Sequence, residues 1–188
     1  WAGKNRVVLG QVRTDETSNE ITAIPVLLKA LSLKDVIVTI DAMGCQREIA
    51  AEIIDGGGDY LLTLKSNQPT LFSDAQHFYE ACLTNDRAEG GWNAYETEDH
   101  QHGRHELRRH YVSQDLDDLV TRDEWKGLKS LCVVERDRTI NGHTSSARHY
   151  YISSLSYKAK TFAEIIRGHW GIENSLHWVL DMAFREDE

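Results

Sequence analysis

The run Val36-Ile37-Val38-Thr39-Ile40 has no polar alternation, is rich in β-branched residues and stops at Asp41. The pattern predicts a central strand buried on both faces. The next segment, from about Cys45 to Ile54, repeats Ile49, Ala50, Ile53 and Ile54 at helical spacing and ends at Gly56-Gly57-Gly58. Asp59 to Lys65 is a second strand, and Pro69 opens a further helix through Phe72, Ala75, Phe78, Tyr79 and Cys82. Strand, helix, strand, helix predicts a parallel α/β sheet.

On the N-terminal side, Val7, Leu9 and Val12 predict a strand from Arg6 to Arg13. Thr17 and Glu20 then stand at capping-box spacing before a helix through Ile24, Leu27, Leu28 and Leu31, in which Pro25 is tolerable only in the first turn. Past Leu83 the texture changes. Asn85 to His102 is polar and acidic, Arg104 to Ser113 reads as extended, and Leu131–Ile140 and Ser145–Ser154 flank an Asn141-Gly142 hairpin turn. Lys160 to Ala183 is helical, with Gly168 and Gly171 as weak points. The expected organisation is therefore a core from residues 1–84, a β-rich insertion at 85–154 and the closing part of the core at 155–188.

With 188 residues and 40% hydrophobic content the chain can bury one core. Its longest apolar runs are far too short to span a bilayer and no signal-like segment opens it, so a soluble, cytoplasmic protein without membrane partners is expected. Cys45, Cys82 and Cys132 form no C-x-x-C pair and read as small buried hydrophobes. The first residue is Trp1, and a strand-like run follows almost at once, which suggests a start inside a domain.

A net charge of −9 counts against a nucleic-acid partner, yet the average hides an asymmetry. Between Glu80 and Asp99 six acids face Arg87 alone, whereas between Lys126 and Arg167 eight bases face three acids. One half suited to cations beside another suited to phosphates is what a metal-dependent nuclease needs; two ordinary solvated surfaces would look the same.

Asp41 stands where a buried strand meets a turn containing Gly44, at the carboxyl end, where open α/β sheets place ligands. It can ligate a metal or cap the following helix. Around Glu173, apolar Ile172, Leu176, Val179 and Ala183 share one helical face, and His169, Glu173 and His177 stack on another. In the stretch from Asp99 to His110, Arg104, Glu106 and Arg108 share a strand face, and arginine forks suit phosphate oxygens. Zinc on His100, His102 and His105 lacks a matching ligand pair elsewhere.

Three ordered segments, Thr39 to Gln46, His102-Gly103-Arg104 with Glu106 and Arg108 or Arg109, and His169 to Trp178, closely resemble the H-repeat-associated DDE transposases of bacterial insertion sequences. Ser18 to Ile21 and Asp181 to Asp187 extend the resemblance over essentially the whole chain. It implies an RNase H-like α/β fold, a mixed sheet flanked by helices with a β-rich insertion, and a DDE triad that binds two Mg or Mn ions. Asp41 matches the second Asp and Glu173 the final Glu, while the first Asp lies on a strand the family places upstream; the chain alone is accordingly expected to be inactive. Ile166, His169 and Leu180 stand where related transposases carry Tyr, Arg and Lys. The implied partner is DNA, both transposon ends and target, with a homodimer on that DNA, and Arg104, Arg108, Arg109 and His169 are the candidate contacts. Rival readings are an RNase H-like nuclease without strand transfer and an inactive transposase remnant.

Overall fold

A computed structural model describes residues 2–3, 8–12, 20–84, 91–101 and 103–172. The first elements alternate as expected: α1 (Glu20–Ala30), β1 (Ile37–Ile40), α2 (Arg47–Asp55), β2 (Asp59–Leu64) and α3 (Pro69–Thr84). Then come β3 (Asn93–Gln101), β4 (Arg104–Ser113), β5 (Ser130–Ile140), β6 (His143–Ser153) and α4 (Ala159–Ile172). The six strands form one mixed sheet in the order β1-β2-β6-β5-β4-β3. Only the β1–β2 pair is parallel; β2–β6, β6–β5, β5–β4 and β4–β3 are antiparallel. The fold is α/β, a mixed sheet flanked by helices.

The alternation of side chains along each strand divides the core into two layers. Tyr60, Leu62, Leu64, Tyr111, Leu131, Val133, Tyr150 and Ile152 face α1, α2 and α3. Leu61, Val112, Cys132, Val134 and Tyr151 face Ala159, Phe162 and Ile166 of α4. Tyr79, fully buried on α3, lies 5.4 Å from the Trp92 ring and 5.7 Å from Tyr111. Each such aromatic pair contributes about 0.5–1.5 kcal/mol beyond the area it buries. Phe162 anchors α4, and a fully buried phenylalanine contributes about 3–5 kcal/mol relative to alanine.

Several details depart from expectation. β1 is at the edge of the described sheet with Val36 40% and Ile37 38% exposed, and β2, buried at every position after Asp59, is the strand covered on both faces. The expectation of a central strand buried on both faces is not met by β1 among the described residues: an apolar, β-branched run reports β-propensity, and neither burial nor place in the sheet follows from it. Pro25 sits at the sixth position of α1, past the first turn, where it removes one i→i−4 hydrogen bond without ending the helix. Residues 8–12 carry no regular structure, with Val8 and Leu9 exposed; Arg6, Val7 and Arg13, and the Thr17 cap, lie outside the described residues. β-propensity needs a partner strand before it becomes a strand. The acidic stretch does contain a strand, β3, which as an edge strand shows no apolar pattern.

The β5–β6 hairpin forms as expected, with Asn141 at φ 50° and Gly142 at φ 79°, both in the left-handed region the two-residue turn requires. Cys45 and Cys132 are buried and Cys82 is half-buried; burial pushes the Cys45 thiol up to about 12, which leaves it unreactive. Among the described residues no helix is long and apolar enough to cross a membrane.

Candidate functional site

The loop that follows β1 is held from several sides. A Cβ on Gly44 would fall 2.3 Å from Ile40 Cγ2 and 3.0 Å from Ile24 Cδ1, so only glycine lets the chain turn this tightly against the strand it has just left. Asn67 Nδ2 donates to the Ala42 carbonyl at 2.6 Å and Gln68 Nε2 to the Cys45 carbonyl at 2.9 Å. The loops after the two parallel strands thus brace one another at their carboxyl ends. Asp41 is exposed there, its Oδ1 accepting the Met43 backbone N–H at 3.2 Å.

Helix α4 reaches the same end of the sheet. Thr39 points to the α4 side with its cross-strand partner Leu61, and its Oγ1 lies 2.9 Å from His169 Nδ1, a contact between residues 130 positions apart. A part-buried hydrogen bond of this kind contributes about 0.5–1.5 kcal/mol and fixes where the last described turn of α4 lies. Glu173, four residues beyond His169, is outside the described residues.

A second arrangement occupies the far half of the sheet. Arg104, Glu106, Arg108 and His110 alternate onto one face of β4, and Arg138, Arg136 and Val134 of β5 lie directly across from Glu106, Arg108 and His110. With Arg167 and Trp170 of α4 they line a groove of about 570 Å³. Glu106, 4% exposed, pairs with Arg104 Nε at 3.6 Å and with Arg108, and Arg167 pairs with Asp99 at 3.2 Å. Arg136 and Arg138 have no acidic partner among the described residues, and their buried Nε atoms are without hydrogen bonds there. The groove is electropositive: burial first, then Arg136, Lys65 and Arg108 hold the His149 imidazole below its usual range, and burial with Arg108 does the same to His110 against a raising contact from Tyr95.

Arg109 faces the other way. Its Nη1 is 2.8 Å from Asp137 and its Nε 3.2 Å from Glu96. The structure therefore brings Arg104 and Arg108 together in the groove and sets Arg109 apart from them.

The whole chain, residues 1–188, matches the family described as "Transposase DDE domain". It is 45% identical over 194 residues to "Putative transposase YncI" of Escherichia coli O157:H7, covering 100% of this chain and 48% of that protein. It is 43% identical over 187 residues to "H repeat-associated putative transposase YhhI" of Escherichia coli strain K12, covering 97% and 49%. The chain belongs to the DDE transposase family. It spans about half the length of these relatives. No solved structure matches it.

Two features of this transposase domain escape a reading of motifs. Arg136 and Arg138 sit two apart on a strand whose hairpin turn is visible in the sequence, so alternation places them on one face; that this face is also the one of Arg104 and Arg108 depends on β4–β5 pairing across an irregular connection. Ile166 is buried between α4 and the sheet and serves the core.

Proposed function

We propose that this chain forms part of a catalytic domain that cuts and joins DNA strands at the ends of an insertion sequence, with Asp41 and Glu173 as ligands for Mg or Mn. The observation that supports this reading is the Thr39–His169 hydrogen bond, which ties α4 to the strand that ends in Asp41. Asp41 follows Thr39 by two residues, and Glu173 follows His169 by four, which limits its Cα to about 14 Å from that of His169. Convergence on shared ions, with carboxylates roughly 4–9 Å apart, lies within that reach. The exposed Asp41 carboxylate offers the hard oxygen donors that Mg and Mn prefer.

When bound, the ions supply activation of a water or a 3′-hydroxyl and stabilisation of the leaving oxygen. The chain's own residues hold the substrate. Arg104, Arg108, Arg136 and Arg138 present guanidinium forks to backbone phosphates, and His169 is a positioning residue that sets the end of α4 against β1. DNA lies on the arginine face, running towards the carboxyl end of β1.

Cleavage of transposon-end DNA with Mg or Mn, in a polypeptide of the relatives' full length that carries this chain, tests the assignment. Asp41→Asn and Glu173→Gln are each expected to slow cleavage about a thousandfold or more while DNA affinity stays within about twofold. Cleavage that survives Asp41→Asn would return Asp41 to the role of a turn residue.

A further inference from the structure

The tip of the β3–β4 hairpin carries a group of side chains unrelated to Asp41. His100 and His105 are direct cross-strand partners, and Glu98 precedes His100 by two residues on the same face. The two imidazoles stack with centroids 4.4 Å apart and planes 10° from parallel. Both Nε2 atoms point at Glu98 Oε1, from 3.2 Å for His100 and 2.7 Å for His105. His102, which proximity in sequence groups with them, is outside the described residues, and the third place is taken by a carboxylate instead.

We propose that Glu98, His100 and His105 form a binding site for a borderline divalent cation of the zinc type. A tetrahedral ion with ligand bonds of about 2.0–2.2 Å holds its donor atoms about 3.4 Å apart. Here the donor atoms all lie within 4.8 Å of one another, so the ion is admitted by shifts of up to about an ångström together with a rotation of the two stacked imidazoles that turns their nitrogen lone pairs onto one point. Two imidazole nitrogens and one carboxylate oxygen suit Zn, Ni, Co and Cu rather than Mg, which separates this site chemically from one built on Asp41. Side-chain exposures of 53% for Glu98, 68% for His100 and 41% for His105 leave a fourth position open to water. The surrounding potential also favours a cation. Glu96, Glu135 and Asp137 share this face of the sheet with Glu98 and outnumber Arg109 and Arg148, the arginines paired with them. Hydrogen bonds from His105 and His100 hold the Glu98 carboxyl below its usual range, so it is ionised at neutral pH. A bound ion would clasp the ends of β3 and β4 across their turn.

Isothermal titration of the untagged chain with zinc chloride is the test, with circular dichroism to establish that each variant is folded. The expected result is saturable binding of one ion at this site, weakened at least about tenfold in His100→Ala, in His105→Ala and in Glu98→Gln, and undisturbed by millimolar magnesium chloride. Glu98 and His100 are exposed and His105 is half-buried, none of them in the core, so the variants are expected to fold. Absence of saturable binding, or binding that persists unchanged in the three variants, would overturn the proposal and leave the cluster as a hydrogen-bonded surface group. Neither outcome bears on Asp41, because the readout is metal uptake and not DNA cleavage.

Discussion

The two faces of strand β4 are built from neighbouring residues and carry opposite charge. On one, Arg104 and Arg108 surround the single buried Glu106, with Arg136 and Arg138 alongside from β5. On the other, Arg109 is bound to Asp137 and Glu96, and Arg148 to Glu135 and Glu80. The first face has more guanidinium than carboxylate and the second has its guanidinium neutralised. Since free cationic charge near phosphates, not total arginine content, sets electrostatic affinity for DNA, a chain of net charge −9 can still present a DNA-binding face. A sheet is well suited to this segregation because period-two alternation turns one mixed sequence into two surfaces.

The largest expected effect is on DNA affinity. Arg136→Ala combined with Arg138→Ala should reduce the slope of log affinity against log salt by about two, and weaken binding across sequences, because each lost phosphate contact removes about one unit. Arg109→Ala combined with Arg148→Ala should change that slope by less than about half a unit. Fluorescence anisotropy at several salt concentrations measures both. This pair of double variants is sharper than one at Arg104 and Arg108, whose removal would leave Glu106 buried without its partners, a strongly destabilising change in its own right. Equal effects on the two faces would break the comparison.

A smaller difference is expected in the response to acid. His149 and His110 on the arginine face have folded values below their ordinary 6.5, so between that value and their folded ones the unfolded chain binds more protons than the folded chain. Their contribution to stability is present above about pH 6.5 and is lost as pH falls from there through the folded values. On the acidic face the Glu98 carboxyl lies below its ordinary 4.5 and that of Asp137, held by Ser146 and Arg109, below 3.8; their contribution is present above those values and lost only at lower pH. Urea unfolding should therefore show stability declining as pH falls below about 6.5, a decline that His149→Gln reduces and Glu98→Gln leaves unchanged.

How much of this was legible in the sequence depends on how local each signal is. The ends of α2 at Gly56, the start of α3 at Pro69 and the β5–β6 turn at Asn141-Gly142 are written in single residues or pairs, and the structure has them there. β3 was hidden because an exposed edge strand made of Glu96, Thr97, Glu98 and Asp99 has no apolar side to reveal it. At the candidate site, Asp41 was visible as the stop of an apolar run, whereas its approach by α4 through Thr39 and His169 is a contact across 130 positions that no local pattern encodes. Adjacency groups Arg109 with Arg104 and Arg108, although strand alternation sends it to the opposite face. The Glu98 cluster needed the β3–β4 register, which pairs His100 with His105.

Ser145 and Ser146 allow the most direct test of where DNA lies. They are consecutive exposed residues of β6, yet Ser145 is paired with Arg138 on the arginine face and Ser146 donates a hydrogen bond to Asp137 on the acidic one. Each is replaced by cysteine and labelled with a short photoactivatable crosslinker, in a background where the half-buried Cys82 is changed to Ala. With transposon-end DNA bound, strong crosslinking from position 145 and little from position 146 is the expected result. Equal crosslinking from both, or more from position 146, would contradict the assignment of DNA to the arginine face.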